Sequence, residues 1–229
     1  MNGGLDLFID ADDTLWENAR YFHVARDHFI QELAGHGFLE SRVRSELSKS
    51  ESQRLARSDF GSSGLAASMH TTAAVFDTAL ADDLRPRFRE LSDQVRHHDI
   101  LAFPEVPETL DELGKRHRLH LVTMGDHKEQ LDKLERSALL PRFSTFEIMP
   151  DKTPASYLAL VRHHGISNED RHQAWMIGNS LKKDIEPAAA VGLSTAHIPS
   201  AVRLPAFFEE SERRPDLSFK SFSCLKIHF

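Results

Sequence analysis

The feature that most constrains this chain is an apolar segment near its start that ends in a cluster of acidic residues. Residues 5–9 are mostly apolar, and Asp10, Asp12 and Asp13 follow them directly. An apolar run with β-branched and aromatic members predicts a buried strand. Carboxylates crowded at the end of a buried strand repel one another, and the pKa of each rises unless a cation is near. The segment therefore indicates a metal site, a reaction centre or both.

Composition narrows the class of protein. The 229 residues suffice for one large domain, or for a core with a smaller insert. Hydrophobic residues make up 40% of the chain and charged residues 28%, which is typical of soluble globular proteins. The formal net charge of -7 disfavours a general nucleic-acid-binding surface, which would be basic. The 14 histidines are scattered and do not show the spacing of a zinc site.

The sequence also predicts the cellular compartment and the classes of partner. No apolar run is long enough to span a membrane, and no basic region followed by a long apolar segment stands at the N-terminus. The single cysteine, Cys224, cannot form an internal disulfide, which is compatible with a reducing cytosol. We expect a cytoplasmic protein that binds neither nucleic acid nor membranes, and the sequence leaves the oligomeric state open.

Two patterns divide the chain. Between residues 17 and 100 apolar residues recur at three- and four-residue steps and no strand is visible, which predicts an all-helical insert of four or five helices. Within it, residues 59–64 have the composition of a turn. From residue 101, strand and helix patterns alternate, with strands expected at 119–123, 143–149, 175–177 and 194–198. This alternation predicts an α/β fold, with a doubly wound, Rossmann-like parallel sheet built from residues 1–16 and 101–229. Residues 217–219 are a possible further strand, and residues 209–214 resemble a solvated loop or helix end.

Polar residues follow four of the expected strands. Asp10 follows the first strand, Thr123 ends the second, Lys152 follows the third, and Asn179 follows the fourth, with Asp184 five residues further on. In a doubly wound sheet, ligands bind outside the carboxyl ends of the strands. We therefore expect these side chains to converge on one pocket.

The same segments resemble the four sequence signatures of the haloacid dehalogenase (HAD) superfamily, which consists mostly of phosphatases. They read DADDTL at residues 10–15, LHLVTMGD at 119–126, DKTP at 151–154 and GNSLKKDI at 178–185. Four signatures in the family's order are far more specific than any one of them. The resemblance runs from residue 3 to about residue 198. It implies that residues 17–100 form a helical cap, inserted after the first signature, that closes over the site and selects the substrate.

The resemblance implies a Mg²⁺-dependent phosphatase of a small phosphate monoester, acting through a covalent aspartyl-phosphate. Asp10 would be the nucleophile. Asp12 would protonate the leaving oxygen and then activate water. Thr123, the backbone amide of Met124 and Lys152 would bind the phosphate. The oxygen ligands of Mg²⁺ would come from four residues, with Asp12 using its backbone carbonyl: Asp10, Asp12, Asn179 and Asp184. Asp13 is expected only to shape the turn.

One departure from the family pattern leaves alternatives open. The fourth signature often carries Asp where this chain has Asn179. An amide offers an oxygen but no charge, so either the metal binds more weakly or Asp184 contributes more. A dehalogenase of the same superfamily is the first alternative, although that chemistry does not need the second aspartate, Asp12. The others are a phosphoacceptor signalling module, which would lack the long insert, and a catalytically silent binding protein.

Overall fold

The computed structural model describes residues 4–55, 61–200, 202 and 213–229, and these residues divide into two compact units. The first unit comprises the described residues among Met1–Glu17, Ile100–Val202 and Glu209–Phe229. The second comprises those among residues 18–99. In chain order, the second unit follows the first strand and precedes all the others.

The first unit is built on a parallel sheet. Its strands are β1 (Asp6–Ile9), β2 (Arg118–Met124), β3 (Thr145–Met149), β4 (Trp175–Gly178), β5 (Ser194–His197) and β6 (Leu217–Ser218). They lie in the order β3-β2-β1-β4-β5-β6, and every neighbouring pair is parallel. β1 is therefore central, with Phe8 paired to His120 on one side and to Met176 on the other. The strand order changes direction between β1 and β4, which is where ligands bind in sheets of this type.

Alternating side chains of the central strands enter two separate cores. Leu7 and Ile9 belong to one buried cluster, together with Leu110 and Leu113, and Phe8 belongs to another, together with Tyr157. The side-chain period of two in a strand explains this division, because successive residues point to opposite faces. The helices and the short final helix of this unit are α6 (Val106–Gly114), α7 (His127–Arg136), α8 (Pro154–His163), α9 (Glu186–Ala190) and α10 (Leu225–His228).

The second unit is helical in its described part. Its helices are α1 (Ala19–Gly35), α2 (Glu40–Leu55), α3 (Gly61–Phe76), α4 (Thr78–Asp83) and α5 (Arg85–Arg96). They enclose a core of their own, in which Phe29 and Phe88 meet edge to face with ring centroids 5.2 Å apart. The chain ends α3 at Phe76 because Asp77 takes an extended conformation and caps α4, its carboxylate accepting a hydrogen bond from the Leu80 N–H at 3.0 Å.

The α/β fold class with a helical insert is confirmed. The expectation of a strand at residues 217–219 is also confirmed, since β6 occupies Leu217–Ser218. The turn expected at residues 59–64 is wrong for 61–64, which form the first turn of α3, and Asp59 and Phe60 lie outside the described residues. The expected loop at 209–214 is likewise outside them, apart from Arg213 and Arg214. Among the described residues, no helix is long and apolar enough to cross a membrane.

Candidate active site

The Asp10 carboxylate lies directly beyond the end of the central strand. The Asp10 N–H donates to the carbonyl oxygen of Ile177 at 2.9 Å, so the pairing of β1 with β4 extends to this residue. The side chain is 8% exposed. Thr14 Oγ1 donates to one carboxylate oxygen at 2.8 Å, and Lys152 Nζ donates to the other at 2.5 Å. Both oxygens of Asp10 are therefore oriented by fixed donors.

Lys152 is shared by two buried carboxylates. Its Nζ also lies 2.6 Å from Asp184 Oδ1, and the side chains of Lys152 and Asp184 are 2% and 1% exposed. Burial, followed by the negative charge of Asp184, raises the pKa of Asp10 to about 7 in spite of Lys152. Burial alone would lower the pKa of Lys152, but the two carboxylates raise it to about 12. Two carboxylates facing one ammonium group leave excess negative charge, which favours a further cation.

An irregular turn brings Asp184 to this position. Residues Leu181–Ile185 form a π-helical turn after β4, a conformation that is rare and is frequent at functional sites. The Ser180 N–H donates to Asp184 Oδ2 at 2.9 Å. Gly178 makes room for the carboxylate, because a Cβ at that position would lie 2.3 Å from Asp184 Oδ2. Asn179 lies between Gly178 and Ser180, and its Oδ1 is 3.4 Å from the Thr14 hydroxyl.

The second aspartate, Asp12, has a different set of donors. Lys133 Nζ lies 3.0 Å and 3.2 Å from its two carboxylate oxygens, Trp16 Nε1 donates at 2.8 Å, and Gln130 Nε2 donates at 3.2 Å. Burial opposes the charged form of Asp12, but the ammonium group of Lys133 and these hydrogen bonds outweigh it and hold the pKa of Asp12 below its ordinary value. The side chain of Asp12 is 20% exposed, so this carboxylate is more accessible than that of Asp10.

Thr123 is connected to Asp12 through a glutamine. Thr123 is the penultimate residue of β2 and is 1% exposed, and its hydroxyl donates to Gln130 Oε1 at 3.2 Å. Met124 ends the same strand beside it. The hydroxyl hydrogen of Thr123 therefore points at Gln130 in this arrangement.

The residues selected from sequence fall into two connected groups. Lys152 contacts both Asp10 and Asp184, and Asp10 is linked to Asn179 through Thr14. Asp12 and Thr123 are joined through Gln130 instead. The catalytic, phosphate-binding and metal-binding roles of these residues stay predictions, including those of Met124 and of the Asp12 carbonyl.

Sequence reasoning missed four side chains that contact these groups: Thr14, Trp16, Gln130 and Lys133. Thr14 and Trp16 stand within or next to the first signature, so proximity along the chain could have indicated them. Gln130 and Lys133 gave no such signal. Polar residues three apart on a helix usually face solvent.

The first unit is an α/β fold that gathers acidic and basic side chains beyond the carboxyl ends of its strands. The sequence profile of the haloacid dehalogenase-like hydrolase family matches residues 10–198. Because this match covers well over half of the chain, the protein belongs to that family. No curated protein matches the sequence.

Solved structures with the same fold include hydrolases of more than one kind. A haloacid dehalogenase-like family hydrolase from Xanthomonas campestris is 24% identical, with 99% of this chain and 91% of that chain covered and a TM-score of 0.84. The putative HAD-hydrolase YfnB from Bacillus subtilis, described as bound to magnesium, is 17% identical, with 99% of both chains covered and a TM-score of 0.64. A HAD phosphatase from Thermococcus onnurineus is 18% identical, with coverages of 98% and 97% and a TM-score of 0.62. Dehalogenases of 2-haloacids share the fold as well.

Proposed function

We propose that this protein is a Mg²⁺-dependent phosphatase that hydrolyses a small phosphate monoester through a covalent aspartyl-phosphate. One observation carries the proposal: two carboxylates, two residues apart at the end of the central strand, have different environments. Asp10 is buried and fixed by Thr14 and Lys152, whereas Asp12 is partly exposed and lies beside Lys133. Neighbouring carboxylates in such different environments can divide the roles of nucleophile and acid/base between them.

The reaction runs in two balanced steps. A carboxylate oxygen of Asp10 attacks phosphorus, the bond from phosphorus to the ester oxygen breaks, and that oxygen takes a proton from Asp12. Water then attacks phosphorus and gives its proton to Asp12, and the bond from Asp10 to phosphorus breaks to release inorganic phosphate. Asp12 must start protonated, and Lys133 opposes this. A phosphate dianion next to Asp12 raises the pKa of that carboxylate in the complex, because like charges favour the protonated form.

The residues present fit a hard divalent cation. The excess negative charge of Asp10 and Asp184 over Lys152 needs neutralising if Asp10 is to be ionised at neutral pH. Among the described residues, no group of three or more His, Cys, Asp and Glu side chains could hold a metal ion. The site would therefore also use the Asn179 amide oxygen and the Asp12 carbonyl, which suits the preference of Mg²⁺ for few carboxylates and several waters. When bound, the cation would supply charge neutralisation and orientation of the phosphate.

Dehalogenation is the alternative within the family, and Asp12 argues against it. Displacement of a halide from carbon also starts from an aspartate nucleophile, but a halide leaves as an anion and needs no proton. A phosphate ester releases an alkoxide, which needs a proton in order to leave. The contacts of Asp12 with Lys133, Trp16 and Gln130 would then have no part in the chemistry.

The test is turnover of a generic aryl phosphate with Mg²⁺ present or removed by EDTA. We expect EDTA to abolish phosphate release and added Mg²⁺ to restore it. Asp10→Asn should abolish turnover, and Asp12→Ala should lower it by about 10²–10⁴-fold, the usual contribution of a general acid/base. Asp13→Asn is the matched control, because Asp13 has φ 63° and asparagine tolerates that conformation. It should leave turnover unchanged.

Two results would reject the phosphatase. One is the absence of EDTA-sensitive phosphate release across a broad panel of phosphate esters. The other is halide release from 2-haloacids by protein that releases no phosphate, which would establish the dehalogenase.

A further inference from the structure

Helix α7 buries three polar side chains, Glu129, Gln130 and Lys133, and the last two of them contact Asp12. Gln130 and Lys133 stand three residues apart, so they lie on the same face of the helix, and they are only 4% and 2% exposed. Leu134, four residues after Gln130, is fully buried as well, so the inward face of α7 combines apolar packing with the polar contacts of Gln130 and Lys133.

The contacts of Gln130 fix its orientation. Its amide nitrogen faces Asp12 Oδ2 at 3.2 Å, and a carboxylate oxygen can only accept. The amide oxygen must then face Thr123, whose hydroxyl donates to it at 3.2 Å. Gln130 thus joins Asp12, after β1, to Thr123, at the end of β2. Lys133 contacts both oxygens of the same carboxylate, at 3.0 Å and 3.2 Å.

These contacts are expensive for the fold and specific for Asp12. Removing an ammonium group from water has a large desolvation cost, and a buried ion pair replaced by apolar side chains is often equally stable or more stable. Stability alone therefore gives little reason for Lys133. Asp10 does not need it either, because Lys152 already contacts that residue.

We propose that Lys133 and Gln130 are positioning residues, which hold the Asp12 carboxylate in the place and orientation from which it exchanges a proton with the substrate. This inference deepens the proposed function and rests on it. Neither residue touches the reacting phosphate in this role. They restrict the rotation of Asp12 and keep it in register with Thr123, so that the acid/base group and a phosphate-binding hydroxyl stay aligned.

The test compares Lys133→Met, Lys133→Arg and Gln130→Leu, with Lys128→Met as the matched control. Lys128 lies on the same helix and is exposed. We expect Lys133→Met to lower kcat on an aryl phosphate by about 10- to 100-fold, in line with the effect of a small misplacement of a catalytic group. KM should change by less than about 3-fold, because Asp12 is not used for binding. Lys133→Arg should restore part of kcat, Gln130→Leu should lose about 3- to 10-fold, and Lys128→Met should match the wild type.

A double-mutant cycle tests whether Lys133 acts through Asp12. The shift of the urea midpoint caused by Lys133→Met should be at least halved in an Asp12→Asn background, because residues that contact each other are not additive. This readout needs no turnover. If Lys133→Met folds poorly, Gln130→Leu still allows the kinetic test, because it leaves the buried ion pair of Lys133 and Asp12 intact.

The outcomes separate the two proposals. No turnover by the wild type on any phosphate ester overturns the proposed function and the catalytic part of this inference with it. Normal turnover by the wild type and by both Lys133→Met and Gln130→Leu overturns the positioning role alone. Equal midpoint shifts in the two backgrounds, or a loss confined to KM, would also overturn it.

Discussion

Replacing Lys152 with methionine leaves two buried carboxylates without their shared cation. Lys152 Nζ lies 2.5 Å from Asp10 and 2.6 Å from Asp184, and all three side chains are less than a tenth exposed. Removing one partner of a buried ion pair costs about 3–5 kcal/mol, because the remaining charge is left unpaired. We expect Lys152→Met to lower the free energy of unfolding by this amount at pH 8 in EDTA, where no divalent cation can substitute for Lys152.

The loss of unfolding free energy caused by Lys152→Met should depend on pH, and the pKa of Asp10 decides whether it grows or shrinks as the pH rises. Burial and the charge of Asp184 raise the pKa of Asp10 to about 7 even with Lys152 present, whereas the ordinary value is 3.8. Without Lys152 the pKa of Asp10 loses the contribution that lowers it, so Asp10 holds its proton still more tightly in the folded state than in the unfolded state. From about pH 4 to pH 7 and above, the folded variant therefore binds more protons, and its stability rises as the pH falls. The difference from the wild type should be smaller at pH 5 than at pH 8.

Urea unfolding followed by tryptophan fluorescence is the assay. Both tryptophans of the chain, Trp16 and Trp175, belong to the first unit, so the signal reports on the unit that contains Lys152. Lys182→Met is the control. Its side chain is 32% exposed and 3.4 Å from Glu186, and loss of such a surface pair costs less than about 1 kcal/mol. A loss below about 1 kcal/mol for Lys152→Met at pH 8, or an equal loss at both pH values, would refute the reasoning.

Two further predictions concern the same strand ends. Asp10 attacks only when it is ionised, and its pKa is about 7. At low Mg²⁺, kcat/KM should therefore fall about tenfold per pH unit below pH 7, and this acidic limb of the pH profile should move to lower pH as the Mg²⁺ concentration is raised. A flat profile down to pH 5 would contradict this. Gly178→Ala should destabilise the protein by about 1–3 kcal/mol and lower turnover, because the new methyl group would displace the Asp184 carboxylate. Gly35→Ala is the control, because its Cβ would meet nothing within 4 Å, and it should be neutral or slightly stabilising. Thermal unfolding of both variants is the measurement, and equal melting temperatures would contradict the predicted clash at Gly178.

The local patterns were sufficient for the architecture. The continuous apolar run of Leu7, Phe8 and Ile9 reflects a strand buried on both faces, and the alternation of strands and helices after residue 101 admits few arrangements other than a parallel sheet. Details of the helices were less accessible. The break at Asp77 depends on one capping side chain, and the π-helical turn at Leu181–Ile185 has no sequence pattern of its own.

The sequence by itself determined the order of the signatures and which side chains would stand at the ends of the strands. Since the carboxyl ends of parallel strands meet at one edge, the sequence was enough to predict that Asp10, Lys152 and Asp184 lie close together. Only the tertiary structure decided the surroundings of Asp12. Gln130 and Lys133 are 118 and 121 residues away from it along the chain, and their spacing is that of an ordinary solvent-facing helix surface. The burial of Gln130 and Lys133 depends on how α7 packs against the sheet, and this packing is a property of the whole chain rather than of any one segment.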